Sequence, residues 1–137
     1  MDIVGEVYRA PALIRDNAGM SRPASPRARV RVHLDETLML GPGKAELLEG
    51  IAATGSIAEA GRRMDMSYQR AWSLVKTLNA GFAEPLVERQ RGGSGGGGAR
   101  LTATGEQVLR IYRAIERDCQ RAVDKRAAVL AGLRGGG

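Results

Sequence analysis

Cysteine is nearly absent from this 137-residue chain, where Cys119 stands alone. One thiol cannot close an internal disulfide, so oxidative stapling has no part in the fold, and a reducing cytoplasm suits such a composition. Histidine is equally scarce. His33 has no second histidine and no cysteine near it, so no metal site is expected. No apolar run approaches the ~20 residues of a membrane span. The N-terminus, MDIVGEVYRAPALIRDN, carries acids at positions 2 and 6 and no apolar block, unlike a signal peptide. No membrane partner is expected. Convergent carboxylates and a paired nucleophile and base are missing too, so the chain is not read as an enzyme.

Positive charge is present in excess: the net charge is +6 and the pI about 10.2. That balance favours an anionic partner, nucleic acid first. The charge is unevenly placed. Residues 35–59 carry one lysine against five acids, whereas residues 60–100 carry seven basic residues against three acids. A basic block beside an acidic one points to a charged face.

Residues 1–28 hold Pro11, Pro23 and Pro26 among scattered arginines without periodicity, and are expected to form a flexible tail. RVRVHL, residues 29–34, alternates with Val30, Val32 and Leu34 on one side, the period of a half-buried strand. KAELLEGIAAT then reads as a helix with Leu47, Leu48, Ile51 and Ala52 inward, ended by Gly55. Ser56 and Glu59 have capping-box spacing and predict a short helix over about 57–64, burying Ile57, Ala60 and Met64. After a turn at Asp65-Met66, Ser67 is a second N-cap, and a helix over 68–80 follows. Its apolar stripe is Ala71, Trp72, Leu74, Val75 and Leu78. Two helices joined by so short a turn have helix-turn-helix spacing. The same pattern also fits an ordinary three-helix core with a solvated polar face.

The next segment favours the first option. Leu86 to Arg91 reads as a strand and Ala99 to Leu101 as its return, and six of the seven residues from Gly92 to Gly98 between them are glycine. A hairpin after the third helix is a wing. The glycine run fits neither nucleotide-binding motif. Ala99-Arg100 follows it where a P-loop needs Lys-Ser/Thr, and no βαβ unit surrounds it.

From Thr102 to Leu133 there is no proline. Val108, Tyr112, Ile115, Cys119, Ala122, Arg126, Val129 and Leu133 recur at alternating spacings of four and three. A helix of this length spans ~45 Å, more than a domain this small can cover. Its apolar seam is therefore expected to pair with a second copy through Val108, Tyr112, Ile115, Cys119, Ala122, Val129 and Leu133, the alternative being that its first half packs within the chain and its far end frays. The predicted fold is mainly α with a small β-wing: a winged helix-turn-helix over 29–101, then a long dimerisation helix over 102–134.

For DNA, a helix entering the major groove needs donors and acceptors near its N-terminus. Tyr68, Gln69, Arg70 and Ser73 supply them; Arg bridges guanine O6 and N7, and Gln bridges adenine N6 and N7. Lys76 and Thr77, a turn later, suit phosphates, as do Ser56 and the first amides of the second helix. Arg89, Arg91 and Arg100 flank the wing tip and suit phosphates or a narrow minor groove.

Gly55–Ile57, SYQRAW at Ser67–Trp72, LVER at Leu86–Arg89, the glycine run to Ala99, and the Leu101-Thr102-x-x-Gly105 spacing together carry a family pattern. Over about residues 29–130 the chain resembles the N-terminal DNA-binding domain of the ModE family of molybdate-dependent transcriptional regulators. More distantly it resembles the winged helix of LysR-type regulators. The resemblance implies a homodimer reading a near-palindromic operator at molybdenum-related genes. Ser67 to Arg70 would open the recognition helix, and Arg89 to Arg100 would lie in the wing. Full-length members continue into small β-barrel domains that bind the oxyanion, whereas this sequence stops at LAGLRGGG. No bound cofactor and no direct molybdate binding are expected of it, and a separate oxyanion-sensing protein is a candidate partner. The alternative reading is a non-enzymatic interaction module that uses the winged-helix scaffold to dock such a sensor.

Overall fold

The computed structural model describes residues 26–91 and 98–135. The expected tail up to residue 25 and the wing tip over 92–97 lie outside the described residues. The chain opens with two short antiparallel strands, β1 (Val32–His33) and β2 (Met39–Leu40), with Val32 opposite Leu40. The alternation over 29–34 predicts a longer strand than this. The Asp35 carboxylate accepts from the Thr37 and Leu38 amides at 2.7 and 2.9 Å and from the Thr37 hydroxyl at 2.9 Å. These bonds, the Thr37 amide foremost, hold the Asp35 carboxyl below its ordinary range. They also roll the chain into a turn that leaves Leu34 48% exposed and puts Leu38 in the core instead.

Helix α1 (Pro42–Thr54) starts on proline, whose missing amide is harmless at a first turn. It ends at Gly55, which is left-handed with φ 73°. Ala45, Leu47, Leu48 and Ile51 are buried. Ala52, expected inward, is exposed. It sits one turn beyond the Ala45–Leu48 surface, where the last helix packs with Val108, Leu109 and Tyr112. Helices α2 (Ile57–Arg63) and α3 (Tyr68–Ala80) follow. The hairpin of β3 (Val87–Gln90) and β4 (Gly98–Leu101) pairs Val87 with Leu101, Glu88 with Arg100 and Arg89 with Ala99. One core joins all of these elements: Leu38, Leu47, Leu48 and Ile51 meet Ile57, Ala60, Ala71, Val75 and Leu78, closed by Leu86, Val87, Ala99 and Leu101.

Helix α4 (Ala103–Leu133) begins at Thr102, whose hydroxyl oxygen accepts from the Gly105 amide at 3.0 Å. Its first half packs on its own domain, and this divides the seam expected to pair two copies. Val108 packs against the core, and Tyr112 is only 2% exposed, so Tyr112 is committed to its own chain and not to a partner. Ile115 and Cys119 are half-buried, whereas Val129 and Leu133 are 64% and 78% exposed. A second tie was invisible to periodicity. The Arg113 guanidinium donates to Glu49 on α1 at 2.8 Å and to Glu116 at 2.7 Å. Burial alone would lower its pKa, but the two carboxylates outweigh burial and the net shift is upward.

The described end of the expected tail is held against α4. The Tyr112 hydroxyl donates to the Val30 carbonyl at 2.7 Å. Farther along, the Gln120 side chain accepts from the Ala28 amide at 2.8 Å and donates to the Pro26 carbonyl at 3.0 Å. Residues 26–30 thus run antiparallel to the helix. Burial, assisted by the Glu116 charge, pushes the Tyr112 hydroxyl up to about 12 from 10.0. Because the folded value is raised, the stabilisation is complete below pH 10 and is lost as pH climbs towards about 12. A tyrosinate absorbance titration is expected to show a late phase from Tyr112, and Tyr112→Phe to abolish it. A titration in which Tyr112→Phe removes no late phase would contradict this. Among the described residues no helix is long and apolar enough to cross a membrane.

Candidate nucleic-acid interface

The two helices of the expected motif meet closely. Gly61 on α2 lies against Ala71 on α3, and a Cβ at 61 would come to 3.0 Å from the Ala71 methyl. The chain then turns sharply. The Met64 and Met66 amides both donate to the Gly61 carbonyl, at 2.9 and 3.0 Å. Asp65 takes φ 59°, the single positive φ outside glycine among the described residues. Aspartate tolerates that region better than most side chains. Ser67 caps α3, its hydroxyl oxygen accepting from the Arg70 amide at 3.1 Å. Ser56 caps α2 in the same way, accepting from Glu59 at 3.0 Å. The reciprocal half of the capping box does not form. The Glu59 carboxylate bonds Arg62 at 2.8 Å instead, and the Ser56 amide donates to the Thr54 hydroxyl.

The two faces of α3 separate cleanly. Ala71, Val75 and Leu78 are fully buried, and Trp72 and Leu74 are half-buried. Gln69, Arg70, Ser73, Lys76 and Thr77 are all exposed, and Tyr68 is 43% exposed in the first turn. The Thr77 hydroxyl donates back to the Ser73 carbonyl at 3.2 Å, which leaves its lone pairs outward.

The three wing arginines differ in state. Arg100 donates to Glu88, directly across the hairpin, at 2.9 Å. Both side chains are well exposed, and such a surface pair contributes only about 0–1 kcal/mol, so a phosphate can displace the carboxylate. Arg91 is exposed at the foot of the tip and has no partner among the described residues. Arg89 turns towards α3, 3.2 Å from the Tyr68 hydroxyl and 4.9 Å from the centre of the Trp72 ring.

One residue essential to this geometry gave no signal in the sequence. Asn79, in the last turn of α3, accepts from the Leu86 and Val87 amides at 2.8 and 3.1 Å and donates to the Val87 carbonyl at 3.1 Å. Its amide stands in for a neighbouring strand and fixes where the wing leaves the helix. From β4, the Ala99 amide donates to the Gly55 carbonyl at 2.9 Å, tying the wing to the end of α1. Asn79→Ala is expected to cost about 2–3 kcal/mol, since three backbone groups lose their partner where water reaches poorly. A urea melt with a midpoint equal to wild type would count against this role. Nothing in the spacing marks one asparagine near a helix end as a staple.

Residues 43–106 match the family model described as bacterial regulatory helix-turn-helix protein, lysR family. The molybdenum transport protein ModE of Azotobacter vinelandii is 38% identical over 109 residues, 80% of this chain and 40% of that protein. The DNA-binding transcriptional dual regulator ModE of Escherichia coli K12 is 36% identical over 91 residues, 66% of this chain and 35% of its own. The molybdenum-pterin-binding protein MopA of Rhodobacter capsulatus is 41% identical over 93 residues, 68% of this chain and 34% of its own. The chain thus spans well under half the length of these relatives. Among solved structures, a CbnR_DBD–DNA complex superposes with a TM-score of 0.51 at 25% identity, covering 64% of this chain and 95% of that one.

Proposed function

Since residues 43–106 are a LysR-type helix-turn-helix domain in a chain homologous to the ModE regulators, we propose that it is a DNA-binding transcriptional regulator. It acts as a homodimer on a near-palindromic operator at molybdenum-related genes, in the cytoplasm. The observation that carries the reading is the division of α3. Gln69, Arg70 and Ser73 stand exposed near its N-terminus while Ala71, Val75 and Leu78 hold it to the core. A helix held by one face presents the other to a major groove. In this reading Tyr68, Gln69, Arg70 and Ser73 meet base edges, and Ser56, Ser67, Lys76, Thr77, Arg91 and Arg100 meet phosphates.

The dimer is supported by what remains uncovered on α4. Ile111 is 37% exposed, Ala122 is exposed, and Val129 and Leu133 follow on the same side of the helix. These residues, with the half-buried Ile115 and Cys119, form the stripe proposed to pair two copies. Tyr112 and Val108 are left out because they already serve their own core. Two copies reading one face of DNA place their half-sites about one helical turn, ~34 Å, apart. A mobility-shift titration against palindromic and random duplexes at several salt concentrations tests this. Tight, salt-steep binding with a preferred sequence is expected. Binding that is indifferent to sequence and salt would sink the proposal.

A further inference from the structure

We infer that Arg89 is a positioning residue whose guanidinium clamps the wing to the recognition helix and fixes the Tyr68 hydroxyl as a hydrogen-bond donor towards DNA. The inference rests on the regulator reading above and assigns a task within it. Arg89 lies on β3, 21 residues from Tyr68 in sequence, yet it makes two contacts with α3. A guanidinium has five donors and no acceptor, so at 3.2 Å the Tyr68 oxygen must be the acceptor. The same cation lies 4.9 Å from the Trp72 ring centre, within cation–π range. Tyr68 and Trp72 are one helical turn apart, and a flat guanidinium reaches both at once. A lysine ammonium is a point charge and serves one at a time.

Three consequences follow. Asn79 holds the start of β3 against the end of α3, and Arg89 holds β3 against its beginning, so the wing is tied to the helix at two places. A phenol oxygen has two favourable positions in its ring plane. With Arg89 in one, the O–H occupies the other. Tyr68, 43% exposed beside Gln69 and Arg70, therefore offers a donor to guanine O6 or N7, adenine N7 or thymine O4, and a poor partner to the cytosine amine. The clamped Arg89 also has less to give a phosphate than Arg91 has.

Trp72 is the sole tryptophan of the chain, so its fluorescence reads the clamp without DNA. Arg89→Ala is expected to shift Trp72 emission to longer wavelength and to raise its quenching by acrylamide, with the circular dichroism melt unchanged. Arg89→Lys should fail to restore the signal, and Arg91→Ala should leave it untouched. On duplexes selected from a random pool by the wild type, Tyr68→Phe and Arg89→Ala should each cost about tenfold in affinity. The double variant should also cost about tenfold instead of a hundredfold, because the pair acts as one unit. Both single variants should relax the same base position. Additive losses spread evenly over all sequences would make Arg89 an independent phosphate contact and overturn the inference, as would Trp72 emission indifferent to Arg89→Ala. If the wild type selects no duplex, the regulator reading fails and the donor role of Tyr68 fails with it, while the fluorescence still decides the clamp.

Discussion

Gly105→Ala is expected to destabilise the domain by about 3–4 kcal/mol, from forced overpacking plus a lost hydrogen bond. A Cβ at 105 would sit 2.1 Å from the Leu86 carbonyl oxygen and 2.9 Å from its carbon. Neither atom can yield cheaply. That oxygen accepts from the Thr102 amide at 2.9 Å, the Thr102 hydroxyl donates to the Pro85 carbonyl at 2.7 Å, and the Leu86 amide is held by Asn79. The first turn of α4 must instead lift away from the base of the wing, and Thr102 loses its bond to Leu86. A fall of roughly 10 °C in the thermal midpoint follows for a domain of this size. A midpoint within a degree or two of wild type would falsify the close approach. The expected family pattern has glycine here, and the structure supplies the reason: the space is filled by another segment's backbone.

The second large effect concerns DNA. The triple variant Gln69→Ala, Arg70→Ala and Ser73→Ala is expected to lower affinity for the preferred duplex by about a thousandfold or more. Arg70→Ala alone should cost about 1–3 kcal/mol and relax one base position. Stability should hold, because all three side chains are exposed and none belongs to the core. Arg91→Ala gives the contrast. It should weaken binding evenly across sequences and reduce the slope of log affinity against log salt by about 1. A triple variant that keeps sequence preference would place base recognition on other residues, and one that leaves cellular function untouched would favour the interaction-module reading. A sequence-selective loss from Arg91→Ala would blur the proposed split between base and phosphate contacts.

Much of the architecture was legible because its signals act within a turn or two of the chain. Ser56 and Ser67 each cap a helix with the residue three positions on, and such caps are visible as short patterns. The stripe Ala71, Val75 and Leu78 follows from helical period, and so does the exposure of Gln69, Arg70 and Ser73 opposite it. Where one local signal met a stronger competitor, the expectation slipped. Glu59 found Arg62 on its own helix instead of returning to the Ser56 amide. The alternation through Leu34 gave way to the Asp35 turn.

Taken by itself, the sequence determined the order of helices, the hairpin, the helix-turn-helix spacing and the length of α4, all properties of neighbouring residues. Tertiary structure alone decided which side chains those elements spend on one another. Arg89 reaches Tyr68 across 21 positions, Arg113 reaches Glu49 across 64, and the Ala28 amide reaches Gln120 across 92. No periodicity encodes such pairs, because each depends on the angle at which two separate elements pack. That is why the seam of α4 read as one continuous surface. Folding the chain sends Tyr112 inward against Ala45 and Leu48 and leaves Val129 and Leu133 uncovered.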